Sequence, residues 1–84
     1  MTAVQVEIDE YPLGIAAELL GVALSTLRVW ARHLRKAKVS GFDHKPNERI
    51  ISAQAMKVYV AYKDLLDRGY GLKKAADRLR VYGV

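Results

Sequence analysis

The hydrophobic pattern between Ile15 and Arg35 predicts two short helices that are separated by a turn. Apolar residues recur at intervals of three or four positions in both halves, so each half has one side to bury. The inward positions are Ile15, Ala16, Leu19 and Leu20 in the first half and Leu27, Trp30, Ala31 and Leu34 in the second. Gly21 suits the positive φ of a helix end, and Ser25 or Thr26 can cap the second helix.

The segment after this pair has a different period and predicts a two-stranded wing. Between Lys38 and Ile51, the residues at 43–47 are typical of a hairpin loop. They are flanked by apolar residues that would form the two strands, Val39 and Phe42 on one side and Ile50 and Ile51 on the other. The wing would carry His44 and Lys45 at its tip and Arg49 on the returning strand.

Two further helices are predicted in the second half of the chain. Ser52 caps a helix at 53–68, which Gly69 ends, and a last helix runs over 72–81. The inward residues are Met56, Tyr59, Val60, Leu65 and Leu66 in the former and Leu72, Ala75, Ala76 and Leu79 in the latter. Residues 1–10 are expected to be disordered or to form a short edge strand, Tyr11 packs near the core, and Pro12 fits an early helical or pre-helical position.

These elements predict one small, mainly α domain over residues 11–84, a winged helix-turn-helix of about four helices with a two-stranded β wing. The 84 residues include no cysteine, no apolar run of the roughly 20 residues that span a membrane, and no basic start of a secretory signal. We therefore expect a soluble protein of the reducing cytoplasm that does not bind membranes.

Charge is distributed unevenly along the chain. Residues 1–24 carry four acidic residues and no basic one, whereas residues 25–84 carry all 14 basic residues and five acidic ones. Within the second predicted helix, Arg28, Arg32 and Arg35 recur at helical spacing opposite the apolar side, and Lys36 and Lys38 follow. Such a surface favours double-stranded DNA as the partner, although an arginine face exposed to solvent on an ordinary bundle helix fits the same pattern.

The order of the elements and several short motifs resemble the DNA-binding domain of MerR-like regulators. The similar segments are Leu13–Ala17 and Leu20–Val22 for the first helix and turn, Thr26–Trp30 for the start of the recognition helix, Arg49–Ser52 for the returning wing strand and cap, and Asp67–Leu72 for the link into the last helix. The resemblance implies that Arg28 and its neighbours lie at the major groove. It also implies that Arg49 contacts the DNA backbone or the minor groove.

We predict two groups of DNA-binding residues. Those nearest the bases are Thr26, Arg28, Val29 and Arg32. Those on phosphates or in the wing are Trp30, Arg35, Lys36, Lys38, His44, Lys45 and Arg49. Trp30 is alternatively a core anchor whose indole N–H does not reach a phosphate, and His44 is alternatively an exposed loop residue without a role.

Three functional alternatives remain open at this stage. After Arg80 only four residues follow, so the long dimerising helix and effector pocket of the family are not expected. A small transcriptional regulator and an excisionase-like recombination protein both fit, with RNA polymerase or a recombinase as a further partner and a monomer that associates on DNA. A module that binds an acidic protein surface is the third. No catalytic residue, metal site or cofactor is predicted, because His33 and His44 lie beside neither a nucleophile nor a ligand cluster.

Overall fold

The computed structural model describes residues 10–84, which form four helices and a two-stranded antiparallel sheet. In chain order these are β1 (Glu10–Pro12), α1 (Leu13–Leu20), α2 (Leu24–Lys36), β2 (Ile50–Ser52), α3 (Ala53–Asp67) and α4 (Leu72–Tyr82). The predicted fold class, mainly α with four helices and a two-stranded sheet, is confirmed. The prediction for residues 1–10 falls on 1–9, outside the described residues, except that Glu10 belongs to β1.

The sheet has a different strand pairing from the predicted hairpin. β2 pairs with β1, in the register Glu10 with Ser52, Tyr11 with Ile51 and Pro12 with Ile50. The predicted first wing strand at Val39 and Phe42 is wrong, because the chain turns inward after α2 and does not extend outward. Val39 is buried, its N–H donates to Leu34 at 3.3 Å, and Phe42 N–H donates to Val39 at 3.2 Å.

The core lies between all four helices and β2. Its fully buried side chains include Leu27, Leu34, Ile51, Tyr59 and Tyr62. Ser52 caps α3 as predicted, since its hydroxyl accepts a hydrogen bond from Ala55 N–H at 3.1 Å.

Four apolar residues predicted to face the core are exposed: Ile15, Leu19, Val60 and Leu72. In α1 the buried stripe is Leu13, Ala16, Ala17 and Leu20, so Leu19 is 64% exposed. The small side chains of Ala16 and Ala17 allow close packing of the helix on the side that faces the core. In α3 the side chain of Val60 lies on the side of the helix opposite the buried Val58, Tyr59 and Tyr62, and it is therefore exposed.

Gly21 and Gly14 offer a matched test of the turn. Gly21 has φ +71°, whereas Gly14 lies inside α1, and a Cβ at either position meets no atom within 4 Å. We expect Gly21→Ala to lower the free energy of unfolding by about 1–2 kcal/mol, because an L side chain disfavours the left-handed conformation. Gly14→Ala should raise it by about 0.5 kcal/mol, because alanine is the better helix former. Urea titration measures both, and equal effects would contradict a purely conformational role for Gly21.

Candidate nucleic-acid interface

The turn between α1 and α2 sets the two helices nearly at right angles. Gly21 N–H donates to Glu18 at 3.1 Å and Val22 N–H donates to Ala17 at 3.0 Å, the pair of bonds that defines a Schellman motif. Three residues later α2 begins, and its axis is bent by 94° from that of α1. This angle and turn length are those of helix-turn-helix units.

The predicted cap of α2 is wrong. Ala23 is the N-cap residue, in an extended conformation, and no side chain accepts a hydrogen bond from the first turn. Ser25 and Thr26 already lie within α2, two and three residues after the N-cap position. Both residues lie in the first turn of α2, where Ser25 is exposed and Thr26 is half-buried.

One side of α2 is enclosed by the core. Leu27, Ala31 and Leu34 are completely buried, and Trp30 is 6% exposed. The Trp30 ring packs edge-on against Tyr62, with ring centroids 5.5 Å apart. Trp30 is therefore a core anchor, and its assignment as a phosphate contact is wrong because the ring is enclosed by neighbouring side chains.

The opposite side of α2 is cationic. Its exposed cations are Arg28, Arg32, Arg35 and Lys36. Among residues 10–84 the ion pairs are Lys63 with Asp67 and Arg68 with Asp64, both of them on or next to α3. The cations of α2 thus form no ion pair within the described part of the chain, and their side chains are exposed to solvent.

The basic surface continues from α2 onto α4, which sequence reasoning did not identify. His33 and Lys36 from α2 and Lys73 and Asp77 from α4 line one groove of about 250 Å³. Lys74, Arg78 and Arg80 of α4 are also exposed, and the Arg78 guanidinium lies over the rings of Tyr70 and Tyr82, 5.4 and 5.0 Å from their centroids. The helical pattern of α4 predicts these outward cations, but nothing in the sequence pattern indicates that α4 lies beside the end of α2.

His44 is a buried residue that joins the loop at 37–49 to α3. It is 2% exposed, and its Nδ1 and Nε2 lie 2.8 Å from the Tyr59 hydroxyl and 2.9 Å from the Glu48 carbonyl oxygen. Since a carbonyl only accepts, Nε2 donates to it, and in the neutral imidazole Nδ1 then accepts from the Tyr59 hydroxyl. Both predictions for His44, as an exposed loop residue and as a phosphate contact, are wrong. A buried tyrosine hydroxyl needs a partner, and Tyr59 on the inward stripe of α3 is the sequence signal for one.

The loop around His44 is held by further hydrogen bonds. Ser52 Oγ donates to Asp43 at 2.9 Å, and Lys45 N–H donates to the Glu48 carboxylate at 2.8 Å. The predicted contacts Lys38, Lys45 and Arg49 are all exposed. Lys38 has φ +57° at the end of α2. The loop thus presents its cations from a fixed backbone, although not from a β-hairpin.

Comparison with known proteins gave no match among protein-family models, curated sequences or solved structures. Over the described residues, no cluster of three His, Cys, Asp or Glu side chains is arranged to hold a metal ion. No single helix there has the length and apolar character needed to cross a membrane, and only the bent pair of α1 and α2 reaches that length and composition.

Removing the Tyr59 hydroxyl tests the contact between the loop and α3. Tyr59→Phe leaves the buried Nδ1 of His44 without a donor, so we expect the free energy of unfolding to fall by about 1–3 kcal/mol. Tyr82→Phe is the control, because Tyr82 is 76% exposed. It should change stability by less than about 0.5 kcal/mol. Denaturant unfolding measures both, and equal values would show that the contact with His44 is not stabilising.

Tyr62 makes stability depend on alkaline pH. Burial raises the pKa of Tyr62 from 10.0 to about 12, and it shifts the pKa of Tyr59 in the same direction. Above pH 10 the unfolded chain loses protons that the folded chain keeps. The contribution of Tyr62 is therefore complete below pH 10 and is lost as pH rises toward 12, by up to about 1.4 kcal/mol per pH unit.

Unfolding in urea at pH 9 and at pH 11 measures this dependence. Tyr62→Phe should lower stability at both values, because the Tyr62 hydroxyl donates to the Leu72 carbonyl at 2.8 Å. The substitution should also reduce the difference between the free energies of unfolding at pH 9 and at pH 11. An unchanged difference would contradict titration of Tyr62 as the cause.

Proposed function

We propose that this chain binds double-stranded DNA and that α2 is the helix that enters the major groove. The observation that carries the proposal is the outward side of α2, where four cations are exposed and none has a carboxylate partner among residues 10–84. The perpendicular arrangement of α1 and α2 supports it, because in helix-turn-helix proteins the first helix crosses the backbone while the second lies in the groove.

The exposed residues divide into two proposed roles. Those proposed to approach base edges, on the first two turns and the middle of α2, are Thr26, Arg28, Val29 and Arg32. Those proposed to bind phosphates, at the end of α2 and on the following loop, are Arg35, Lys36, Lys38, Lys45 and Arg49. Contacts of the first group determine sequence preference, and those of the second determine most of the affinity and its salt dependence.

The proposed biological role is that of a small MerR-like transcriptional regulator in the cytoplasm, bound to the nucleoid. An excisionase-like role in recombination uses the same DNA-binding surface and is the alternative. Binding sites selected from random duplexes separate the two. A pair of inverted half-sites supports a regulator that binds as a two-fold dimer, whereas tandem direct repeats support side-by-side assembly.

An acidic protein surface would fit the same cationic side of α2, so the primary test is binding to DNA itself. Fluorescence anisotropy with short random-sequence duplexes should show affinity falling linearly in a log–log plot between about 50 and 200 mM salt. Absence of binding to every duplex at low salt would overturn the proposal and leave the protein-binding alternative.

Arg35→Gln tests the phosphate contacts. If Arg35 neutralises one phosphate, the slope of log affinity against log salt concentration should become less negative by about 0.9 in this variant. Lys63→Gln removes the same charge from α3, where Lys63 Nζ already pairs with Asp67 Oδ2 at 2.8 Å, and it should leave the slope unchanged. If both variants lower the slope equally, the affinity reflects net charge and not the α2 surface.

A further inference from the structure

The rotation of α2 in the fold determines which side chains are farthest from the core. Successive residues turn by about 100° around a helix axis. The buried stripe is Leu27, Trp30, Ala31 and Leu34. The line directly opposite, at intervals of four, three and four residues, is Ser25, Val29, Arg32 and Lys36. Arg28 and Arg35 lie to one side of this line, and Thr26 and His33 lie to the other.

Val29 is the only apolar side chain on that central line, and it is 39% exposed. It does not belong to the hydrophobic core or to the apolar residues packed against it. A β-branched residue is also a weaker helix former than alanine or the long polar residues, so local helix stability does not favour it there. Among residues 10–84, neither packing nor helix propensity therefore favours a valine between Ser25 and Arg32.

The chemistry of the major groove provides an explanation. The C5-methyl group of thymine is the one apolar group that the base pairs present there, and small apolar side chains bind it, whereas arginine recognises guanine. The χ1 angle of valine in a helix is nearly fixed, so its two methyl groups are held in place and lose little entropy on contact.

We infer that Val29 is a specificity-determining residue that contacts the C5-methyl group of a thymine. The inference rests on the proposed DNA-binding function and adds the class of target to it, namely duplexes that carry a thymine under the first half of α2. Arg32, one turn further along the same line, then lies over a neighbouring base pair.

The test replaces thymine by deoxyuridine, which removes only the methyl group. Binding sites are first selected from random duplexes, and each thymine of the selected site is then replaced singly. At one position, we expect the wild-type affinity to fall about fourfold, the transfer free energy of one methyl group. Val29→Ala, whose single methyl group makes a smaller apolar contact, should bind the thymine site more weakly than the wild type does and should show a smaller preference for thymine over uracil.

Val60→Ala is the matched control, because Val60 is an exposed helical valine on α3, in the groove that Leu19 lines. It should retain the full preference for thymine. The inference is overturned if no single replacement weakens wild-type binding, or if the replacement weakens wild type and Val29→Ala equally. Either result leaves DNA binding intact, whereas failure to bind any duplex removes the proposed function and this inference with it.

Discussion

Burial of one side of α2 determines what the rest of the molecule can present. Leu27, Ala31 and Leu34 have no exposed surface, and Trp30 packs against Tyr62 of α3. Positions around a helix are rigidly related, so these four contacts fix the rotation of the outward side as well. A rotation of α2 that replaced each buried residue by the next one in the sequence would bring Arg28, Arg32 and Arg35 toward the core, and an unpaired buried charge costs several kcal/mol. The cationic surface is thus a direct consequence of the apolar one.

The loop between α2 and β2 is positioned by polar contacts in place of a strand ladder. His44 bridges the Tyr59 hydroxyl and the Glu48 carbonyl, and Phe42 packs edge-on against Tyr59 with ring centroids 5.1 Å apart. Both ring nitrogens of His44 have partners, as a buried imidazole requires. An irregular backbone can therefore hold Lys45 and Arg49 in defined positions, since the loop is attached to the core through the buried His44.

The helices could be predicted from the sequence because α2, with 13 residues, and α3, with 15, are long enough to show a clear hydrophobic period. α1 could not be oriented in this way, because six of its eight residues are apolar and several stripes fit equally well. The strand pairing could not be predicted for a related reason. β1 (Glu10–Pro12) and β2 (Ile50–Ser52) have three residues each, which is too short for either to show a hydrophobic period. The two helices α1 and α2 lie between them in the sequence, so no local pattern indicates that they pair.

The candidate site shows the same division between local and long-range information. The arginines of α2 follow from its period, and the residues opposite its buried stripe follow once the stripe is known. The groove that Lys36 shares with Lys73 depends on how α4 packs, which no local pattern contains. The neighbours of His44 favour turns and therefore predict an exposed loop position, whereas its burial depends on Tyr59, fifteen residues away.

The described helices place several like charges close together on α2 and α4. Arg28 and Arg32, Arg32 and Lys36, and Lys74 and Arg78 are like-charged pairs four residues apart, each of which destabilises a helix by about 0.2–0.5 kcal/mol. Lys73 and Lys74 also lie in the first turn of α4, where the helix dipole disfavours cations. Other terms have the opposite sign, since the helix dipole favours the cations His33, Arg35 and Lys36 in the last turn of α2, and the two ion pairs near α3 are stabilising by similar amounts. The repulsion that remains is among the exposed cations of α2, and a polyanion along this helix, as in the proposed binding of DNA, would relieve it.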